Sequence, residues 1–380
     1  MGAGSLSLPD AISSMGVVPG AVLLALTAVA THVSVVLLVD AITATGSRSF
    51  EDLSVLVFGK FTGLMVELSI IVFQFGTLIA YTIAIGDMLD PLLGMPAFEH
   101  ALPWLNRHHG GRQIITVIFW AVLMLPLSFV EKVSSLQITS LIGQLSLVYL
   151  VLAVFSHFVV DLAASSGQTV GKLNLFRASP TAISASAIIM FAFTCQVNVP
   201  SLYHELTIRK PAQMRAVSLR ACCVCLFCYS LIGFAGYANF PESTQGNILN
   251  NYCLLHPTTS SLSKHPPRVI APAFAAITVT VLMAYPVNVF PTRYALDVML
   301  FSGLGDRYRT TRHVGLTLVT AVFTLIIALV ETRIRICPPI PSKCHLRITH
   351  HLTMMSASPR HHLNVISALL LRFRMMFGSN

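Results

Sequence analysis

Two short stretches of this chain carry the residues whose types and spacing could do chemistry. The first is Gly2-Ala-Gly-Ser-Leu-Ser-Leu-Pro9, with two glycines and a proline in eight residues. The second lies within residues 191–200, where four residues interrupt an apolar run: Thr194, Gln196, Asn198 and Pro200. Glycine and proline discourage a continuous helix and leave backbone groups without helical partners. Free N–H groups at a helix start attract a carboxylate, and free C=O groups attract an ammonium or a metal cation. The pattern therefore favours non-covalent binding by the backbone.

Sequence patterns for covalent or metal chemistry are missing. The apolar runs contain no aspartate pair, no Ser–His arrangement and no His-Glu-x-x-His motif, so we expect no enzyme activity. Cys337, Cys344 and His345 have a spacing that fits no standard zinc site, so we expect no bound metal or other cofactor. Four further cysteines share one apolar run, where cysteine behaves as a small apolar residue: Cys222, Cys223, Cys225 and Cys228.

The elements that position these stretches are eight uncharged, mostly apolar runs. They are Val17–Val39, Leu68–Gly86, Gln113–Val130, Val133–Val160, Ala178–His204, Ala221–Pro241, Val269–Thr292 and Val314–Val330. About 20 apolar helical residues cross a hydrocarbon core of about 30 Å. The chain is 54% hydrophobic and only 10% charged, with a mean hydropathy of +0.75. The sequence therefore predicts an all-α polytopic membrane protein, which excludes most soluble functions and nucleic-acid binding.

The basic character of the chain belongs to its carboxyl-terminal part. Residues 332–380 hold seven of the 24 Lys and Arg residues and no Asp or Glu. We therefore predict a transmembrane domain over residues 1–330 and a basic tail over residues 331–380, outside the membrane fold. Three explanations of the tail stay open: a disordered segment, a sequence created by altered splicing or reading frame, and a lipid-binding tail.

Basic residues also predict the orientation of the helices. The connections at 40–67, 131–132, 205–220 and 293–312 carry 11 Lys and Arg, and those at 87–112, 161–177 and 242–268 carry six. The positive-inside rule places the first set in the cytoplasm. Glu67, at the edge of its span, is expected to lie at the membrane interface.

The spacing of the two interrupted stretches has a functional meaning in a membrane protein. They lie five spans apart, and breaks at corresponding positions of two halves of a chain point to a transporter's binding site. A free amino acid carries both a carboxylate and an ammonium group, which the two kinds of free backbone group would attract. The alternative is two proline-kinked helices without a site.

Several ordered motifs resemble one family of membrane proteins. They are Gly2-Ala-Gly-Ser-Leu-Ser-Leu-Pro9, Thr45-Gly-Ser-Arg-Ser-Phe-Glu-Asp52, the segment from Phe191 to Leu206, Gly233-Phe-Ala-Gly-Tyr237, Thr244-Gln-Gly-Asn-Ile-Leu-Asn-Asn-Tyr252 and Tyr285-Pro-Val-Asn-Val-Phe-Pro-Thr-Arg293. Together they resemble the sodium-coupled neutral amino acid transporters and, more broadly, the amino acid/auxin permease superfamily. The resemblance runs from residue 2 to about residue 330.

The resemblance implies a LeuT-type inverted-repeat fold, here half of helix 1 followed by helices 2–9. It also implies secondary active transport of a small neutral amino acid by alternating access around broken helices 1 and 6. The substrate-binding residues that it implies come from helices 1, 3, 6 and 8: Gly2, Ala3, Gly4, Tyr81, Phe193, Thr194, Pro286 and Val287. The expected partners are the amino acid and the lipid bilayer, in a plasma membrane or a vacuolar or lysosomal membrane.

Departures from the family pattern affect the expected mechanism. The chain begins at the helix 1 motif and has no counterpart of helices 10 and 11, so a transport-inactive truncated homologue, or a membrane sensor or scaffold, is the alternative function. Sodium-coupled members have hydroxyl residues shortly before the helix 8 proline, where this chain has Leu282 and Ala284. The coupling ion, Na⁺ or H⁺, therefore stays open. His32 and His157 are candidate proton carriers, with ordinary packing as the alternative.

Overall fold

The computed structural model describes residues 2–47, 49–93, 111–130, 137–164, 173–177, 179–207, 209–252, 267–301 and 308–336. Within these residues the regular structure is helical and contains no strand, which confirms the all-α prediction. The α-helices are α1 Leu8–Met15, α2 Val17–Thr45, α3 Phe50–Phe58, α4 Lys60–Leu93, α5 Gly111–Phe119, α6 Leu125–Ser128, α7 Gln137–Ala164, α8 Ala182–Ala192, α9 Val199–Glu205, α10 Pro211–Asn239, α11 Pro267–Phe301 and α12 Arg309–Ile336. Tighter turns at Ala3–Ser7, Gln196–Asn198 and Ile248–Asn251 are 3₁₀, and Trp120–Met124 is a π-turn that joins α5 to α6.

Seven segments of the described chain are long and apolar enough to cross a membrane. They are Val17–Thr45, Lys60–Leu89, Ser140–Ala163, Ala182–Glu205, Pro211–Asn239, Pro272–Phe301 and Arg309–Thr332. The eighth predicted span is the shorter apolar stretch Gln113–Ser128. Large apolar side chains on these helices point outward, as Phe227 does at 65% exposure. The chain is an integral, multi-pass membrane protein.

The helices pack in two groups that share a core. In one group, α10 packs against α2 and α1, and α1 packs against α8. In the other, α11 packs against α4 and α7, and α12 packs against both α4 and α11. Contacts between α10 and α7 join the groups. The largest buried cluster draws residues from both, including Ile12, Leu78, Leu150, Tyr229 and Phe274.

The amino-terminal stretch is helical from its third residue, although its glycines and proline led us to expect a discontinuity there. Ala3–Ser7 form a 3₁₀ turn that continues directly into α1. Pro9 is tolerated because it lies in the first turn of α1, where its missing N–H would have no helical partner. The helical stretch therefore starts directly after Gly2, whose backbone is extended, and this helix start is the first of the two breaks.

The corner between α1 and α2 is bonded to residues 173–177, a connection that the sequence did not reveal. The Val17 N–H donates to the Asn174 C=O at 3.0 Å, and the Arg177 N–H donates to the Met15 C=O at 3.0 Å. Gly16 forms the corner with a φ of 96°, a conformation that favours glycine. The 173–177 segment thereby ties α1 to the approach to α8.

Parts of three predicted connections belong to helices. Residues 40–67 contain the end of α2, all of α3 and the start of α4, and α10 begins at Pro211 within 205–220. Arg293 was predicted to lie in a cytoplasmic loop, but α11 continues to Phe301 and Arg293 is 6% exposed. Its guanidinium donates to the Ser128 C=O at 3.1 Å and to the Val130 C=O at 3.2 Å. Arg293 is a cap on the carboxyl end of α6, because the last carbonyls of a helix lack helical partners.

Two further predictions concern positions along the chain. Glu67 is only 8% exposed, and its expected position at the membrane interface stays a prediction. The domain boundary at residue 330 stays a prediction: α12 continues to Ile336, and residues 337–380 lie outside the described residues. The orientation of the chain in the membrane also stays a prediction.

Candidate functional site

The first wall of the candidate site is the start of the 3₁₀ turn. The Ser5 N–H and the Ser5 hydroxyl both donate to the Gly2 C=O, at 3.1 and 2.9 Å. A Cβ atom on Gly2 would collide with the Tyr81 hydroxyl, and one on Gly4 would lie 3.4 Å from Phe191 Cδ1 and 3.5 Å from Ala192 Cα. The Tyr81 side chain thus approaches the backbone closely at Gly2, whereas a Cβ atom at Gly4 would make ordinary van der Waals contacts.

The second wall is the break between α8 and α9, which the sequence predicted from its polar residues. α8 ends at Ala192, whose C=O accepts a hydrogen bond from the Tyr229 hydroxyl at 2.9 Å. The Thr194 hydroxyl donates to the Met190 C=O at 3.1 Å. The Gln196 amide donates to the Ser34 hydroxyl at 3.1 Å and so ties the break to α2. These bonds hold the irregular segment in one conformation.

A cavity of about 380 Å³ lies where the two breaks face α4, α7, α10 and α11. Five of the eight residues that the resemblance implied line this cavity: Gly2, Gly4, Tyr81, Thr194 and Val287. Tyr81 is 9% exposed, and its ring stands against Gly2. The side chain of Ala3 lies outside the described part of the chain.

Phe193 and Pro286 are not among the residues that line the cavity. Phe193 is 5% exposed and packs edge-on against Tyr229, with ring centroids 5.1 Å apart. It caps the end of α8, so it turns towards α10 while its neighbour Thr194 faces the cavity. Pro286 is buried within α11, and Val287 follows it on the cavity side. Any contact of either residue with a substrate stays a prediction.

The lining contains polar residues that sequence reasoning missed. They include Gln74 and Thr77 of α4, Gln144 of α7 and Asn288 of α11. The Gln74 amide donates to the Asn288 C=O at 3.3 Å and joins α4 to α11 across the wall. A signal was available, because Gln74, Thr77 and Tyr81 recur with helical spacing in an apolar run and so share one face.

The described side chains that line the cavity are uncharged. None of the described side chains that line it belongs to Asp, Glu, Lys, Arg or His. Cys195 and Cys222 line it as free thiols, and the described residues contain no group of three or more His, Cys, Asp or Glu that could hold a metal ion. A charged ligand group would therefore have to be met by backbone, hydroxyl and amide groups.

The two candidate proton carriers lie outside this lining. His32 Nδ1 is 3.1 Å from the hydroxyl of Ser218, and Ser218 lines the cavity. His157 Nδ1 is 3.1 Å from a carboxylate oxygen of Asp161, and its ring stands edge-on to Tyr252. His32 is thus connected to the cavity through one hydroxyl, whereas His157 lies beside Asp161 on α7.

The sequence profile of a family described as "Transmembrane amino acid transporter protein" matches residues 1–335. The chain belongs to this family. The membership confirms the resemblance that the motifs carried, and it agrees with the expectation that the chain is not an enzyme.

Individual relatives of this transmembrane amino acid transporter family protein include plant, yeast and animal proteins. It is 28% identical to "Amino acid transporter AVT6E" of Arabidopsis thaliana over 84% of its own length and 65% of that protein's. It is 27% identical to "Vacuolar amino acid transporter 6" of Saccharomyces cerevisiae, over 79% of its own length and 63% of that protein's. It is 26% identical to "Putative sodium-coupled neutral amino acid transporter 11" of Mus musculus, over 98% of its own length and 79% of that protein's. The chain thus spans about two thirds of the length of the first two.

Proposed function

We propose that this chain binds a small neutral amino acid in the cavity between its two helical breaks and carries it across the membrane by alternating access. The observation that carries the proposal is the meeting of both breaks at one cavity without a charged lining side chain. The relatives named as amino acid transporters support the substrate class. A volume of about 380 Å³ lies in the range of small-molecule pockets, roughly 300–1,000 Å³.

The neutral lining supports binding of a zwitterionic amino acid whose side chain is uncharged. Burying a charge without a partner costs several kcal/mol, on the order of 3–5 kcal/mol when a partner has been removed. The α-carboxylate and α-ammonium of the substrate would be met by backbone near Gly2 and Gly4 and by the end of α8. A lysine or glutamate side chain would add a third charge, for which the described lining offers no counter-charge.

The packing of the helices supports alternating access around this cavity. Its walls come from both helix groups: α2 and α10 belong to one, and α4, α7 and α11 to the other. A tilt of one group against the other would widen one end of the cavity and narrow the other, as in transporters with interrupted helices. The inverted-repeat relation between the two halves is part of this proposal.

Binding tests the proposal without requiring transport. The purified chain should bind radiolabelled alanine, with competition by unlabelled neutral amino acids and none by lysine or glutamate. Gly4→Val should weaken binding on the order of tenfold or more, because its branched side chain would occupy the space through which the substrate approaches the Gly4 backbone. Gly315→Val is the matched control, since no atom lies within 4 Å of a Cβ atom there. Equal binding by parent and Gly4→Val, or competition by lysine, would overturn the proposed site.

Uptake into liposomes then separates transport from sensing. Saturable uptake driven by a Na⁺ or an H⁺ gradient supports the transporter and identifies the coupling ion. Binding without uptake under either gradient contradicts transport and supports the sensor or scaffold function instead.

A further inference from the structure

The short helix α3 exposes most of its apolar side chains and buries two of its polar ones. Its buried residues are Glu51 and Ser54, at 6% and 5% exposure. Leu56, Val57 and Phe58, in its carboxyl-terminal half, are 63%, 56% and 70% exposed, and the charged Asp52 is exposed in its first turn. Phe50 and Leu53 are partly buried and pack against the core. A helix that faces water shows the opposite arrangement, with its apolar stripe towards the core. The outward face formed by Leu56, Val57 and Phe58 is therefore typical of a helix in apolar surroundings and not in water.

α3 is held firmly in this orientation. It begins at Ser49, whose hydroxyl accepts a hydrogen bond from the Asp52 N–H at 3.0 Å. It ends at Gly59, which has a φ of 86° and turns the chain directly into α4. A Cβ atom on Gly63 would collide with Val55, so the two helices touch at this point. The exposed apolar residues of α3 therefore belong to a packed helical hairpin.

The apolar surface of α3 continues without a gap onto the outer face of α4. Phe61 is 75% exposed and lies in the first turn of α4, directly beyond the hairpin. Further along α4 the exposed apolar residues are Leu64, Met65, Leu68 and Val72. These residues lie within the membrane-length segment Lys60–Leu89, whose outward side chains face lipid. Lys60, also exposed, stands between Phe58 and Phe61.

We propose that the outward face of α3, together with Phe61, is seated in one leaflet of the bilayer. In this position α3 lies at the boundary between headgroups and acyl chains, and Lys60 extends its ammonium to the lipid phosphates. Aromatic and aliphatic side chains next to a lysine suit this boundary, because the rings enter the acyl region while the lysine reaches outward. The buried polar face turns towards protein, as backbone and polar groups at membrane depth require. The segment between α2 and α4 is thus a lipid-embedded helix and not a water-exposed loop.

Depth-dependent fluorescence quenching tests this assignment on the full chain in phosphatidylcholine vesicles. Phe58→Trp and Phe61→Trp each place a reporter on the face, and both sites are exposed enough to accept the larger ring. The two native tryptophans supply the same background in the parent chain, so the difference signal belongs to the reporter. We expect stronger quenching by lipid brominated just below the headgroup than by lipid brominated near the bilayer centre, and little quenching by iodide in water. Phe227→Trp, at the middle of α10, is the matched control and should show the reverse depth order.

Two results would overturn the assignment. Quenching of both reporters by iodide without quenching by brominated lipid would place the face in water. Protection of both from iodide and from brominated lipid would show that protein covers the face, such as a second copy of this chain.

Discussion

Two glycines of α10, Gly233 and Gly236, face α1, and the contacts there predict how well each position tolerates alanine. A Cβ atom on Gly236 would lie 2.6 Å from Pro9 Cγ, 3.1 Å from Pro9 Cβ and 3.2 Å from Ile248 Cγ1. Pro9 and Ile248 are fully or almost fully buried, and a proline ring cannot rotate away. A Cβ atom on Gly233 would lie 2.5 Å from Ile12 Cδ1, the far end of a flexible side chain. Alanine should therefore be tolerated better at 233 than at 236.

The magnitude follows from two opposing effects. Overpacking a well-filled interface costs typically about 1–3 kcal/mol. Replacing glycine by alanine inside a helix recovers about 1 kcal/mol. Gly236→Ala should lose about 1–2 kcal/mol, since two contacts to a rigid ring place it at the upper end of the first range. Gly233→Ala should lose less than about 1 kcal/mol.

Unfolding in mixed micelles with increasing dodecyl sulfate measures these differences. The control is Gly315→Ala in α12, where no heavy atom lies within 4 Å of a Cβ atom, so we expect no loss of stability. The two interface variants should also rank in the same order in substrate binding, because α1 positions Gly2 and Gly4. Equal stability of Gly236→Ala and Gly315→Ala would refute the argument that α1 is locked by its contact with α10.

Three further predictions concern residues that hold the fold around the site. Arg293→Met should lower the free energy of unfolding, by about 1–3 kcal/mol for the buried Ser128 C=O and by less for the half-buried Val130 C=O, because both carbonyls lose their donor. Equal unfolding midpoints would contradict its capping role. Burial raises the pKa of Glu51 above the ordinary 4.5, so the folded state holds its proton more tightly and stability should fall as pH rises through 4.5 towards the raised value. Glu51→Gln should flatten this part of the stability profile, and an unchanged slope would show that other groups cause it. Tyr229→Phe should lower the free energy of unfolding by about 1 kcal/mol and weaken substrate binding, because the Ala192 C=O at the end of α8 loses its donor. Unchanged binding would mean that this end of α8 does not contact the substrate.

The helices and the break between α8 and α9 could be predicted from sequence because each has a local cause. The discontinuity expected within residues 2–9 was wrong, because Ala3–Ser7 form a turn that runs directly into α1. Apolar runs of membrane length predict spans, and Thr194, Gln196, Asn198 and Pro200 interrupt one of them. The lining of the cavity was only partly predictable, because it depends on which way each helix turns. Thr194 faces the cavity and its neighbour Phe193 faces α10, a difference that no local pattern distinguishes.

Arg293 and α3 show a second limit of sequence reasoning. A basic residue between two spans resembles a loop residue, and only the fold brings the carbonyls of Ser128 and Val130 to Arg293. The apolar residues of α3 were assigned to a connection between spans, because nine residues are too few to cross a membrane. The direction in which they point depends on their packing against α4. In both cases the decisive partner lies in another helix.

The bonds between the α1–α2 corner and the 173–177 segment impose an order on biosynthesis. Arg177 leaves the ribosome about 160 residues after Met15, with which its N–H must pair. At roughly 5–20 residues per second, the delay is on the order of 10–30 s. During that time α1 lacks both this partner and α10, which is made later still. The amino-terminal wall of the cavity is thus completed late in translation, and a ribosome that stalls before residue 177 presents α1 unpaired to the insertion and degradation machinery.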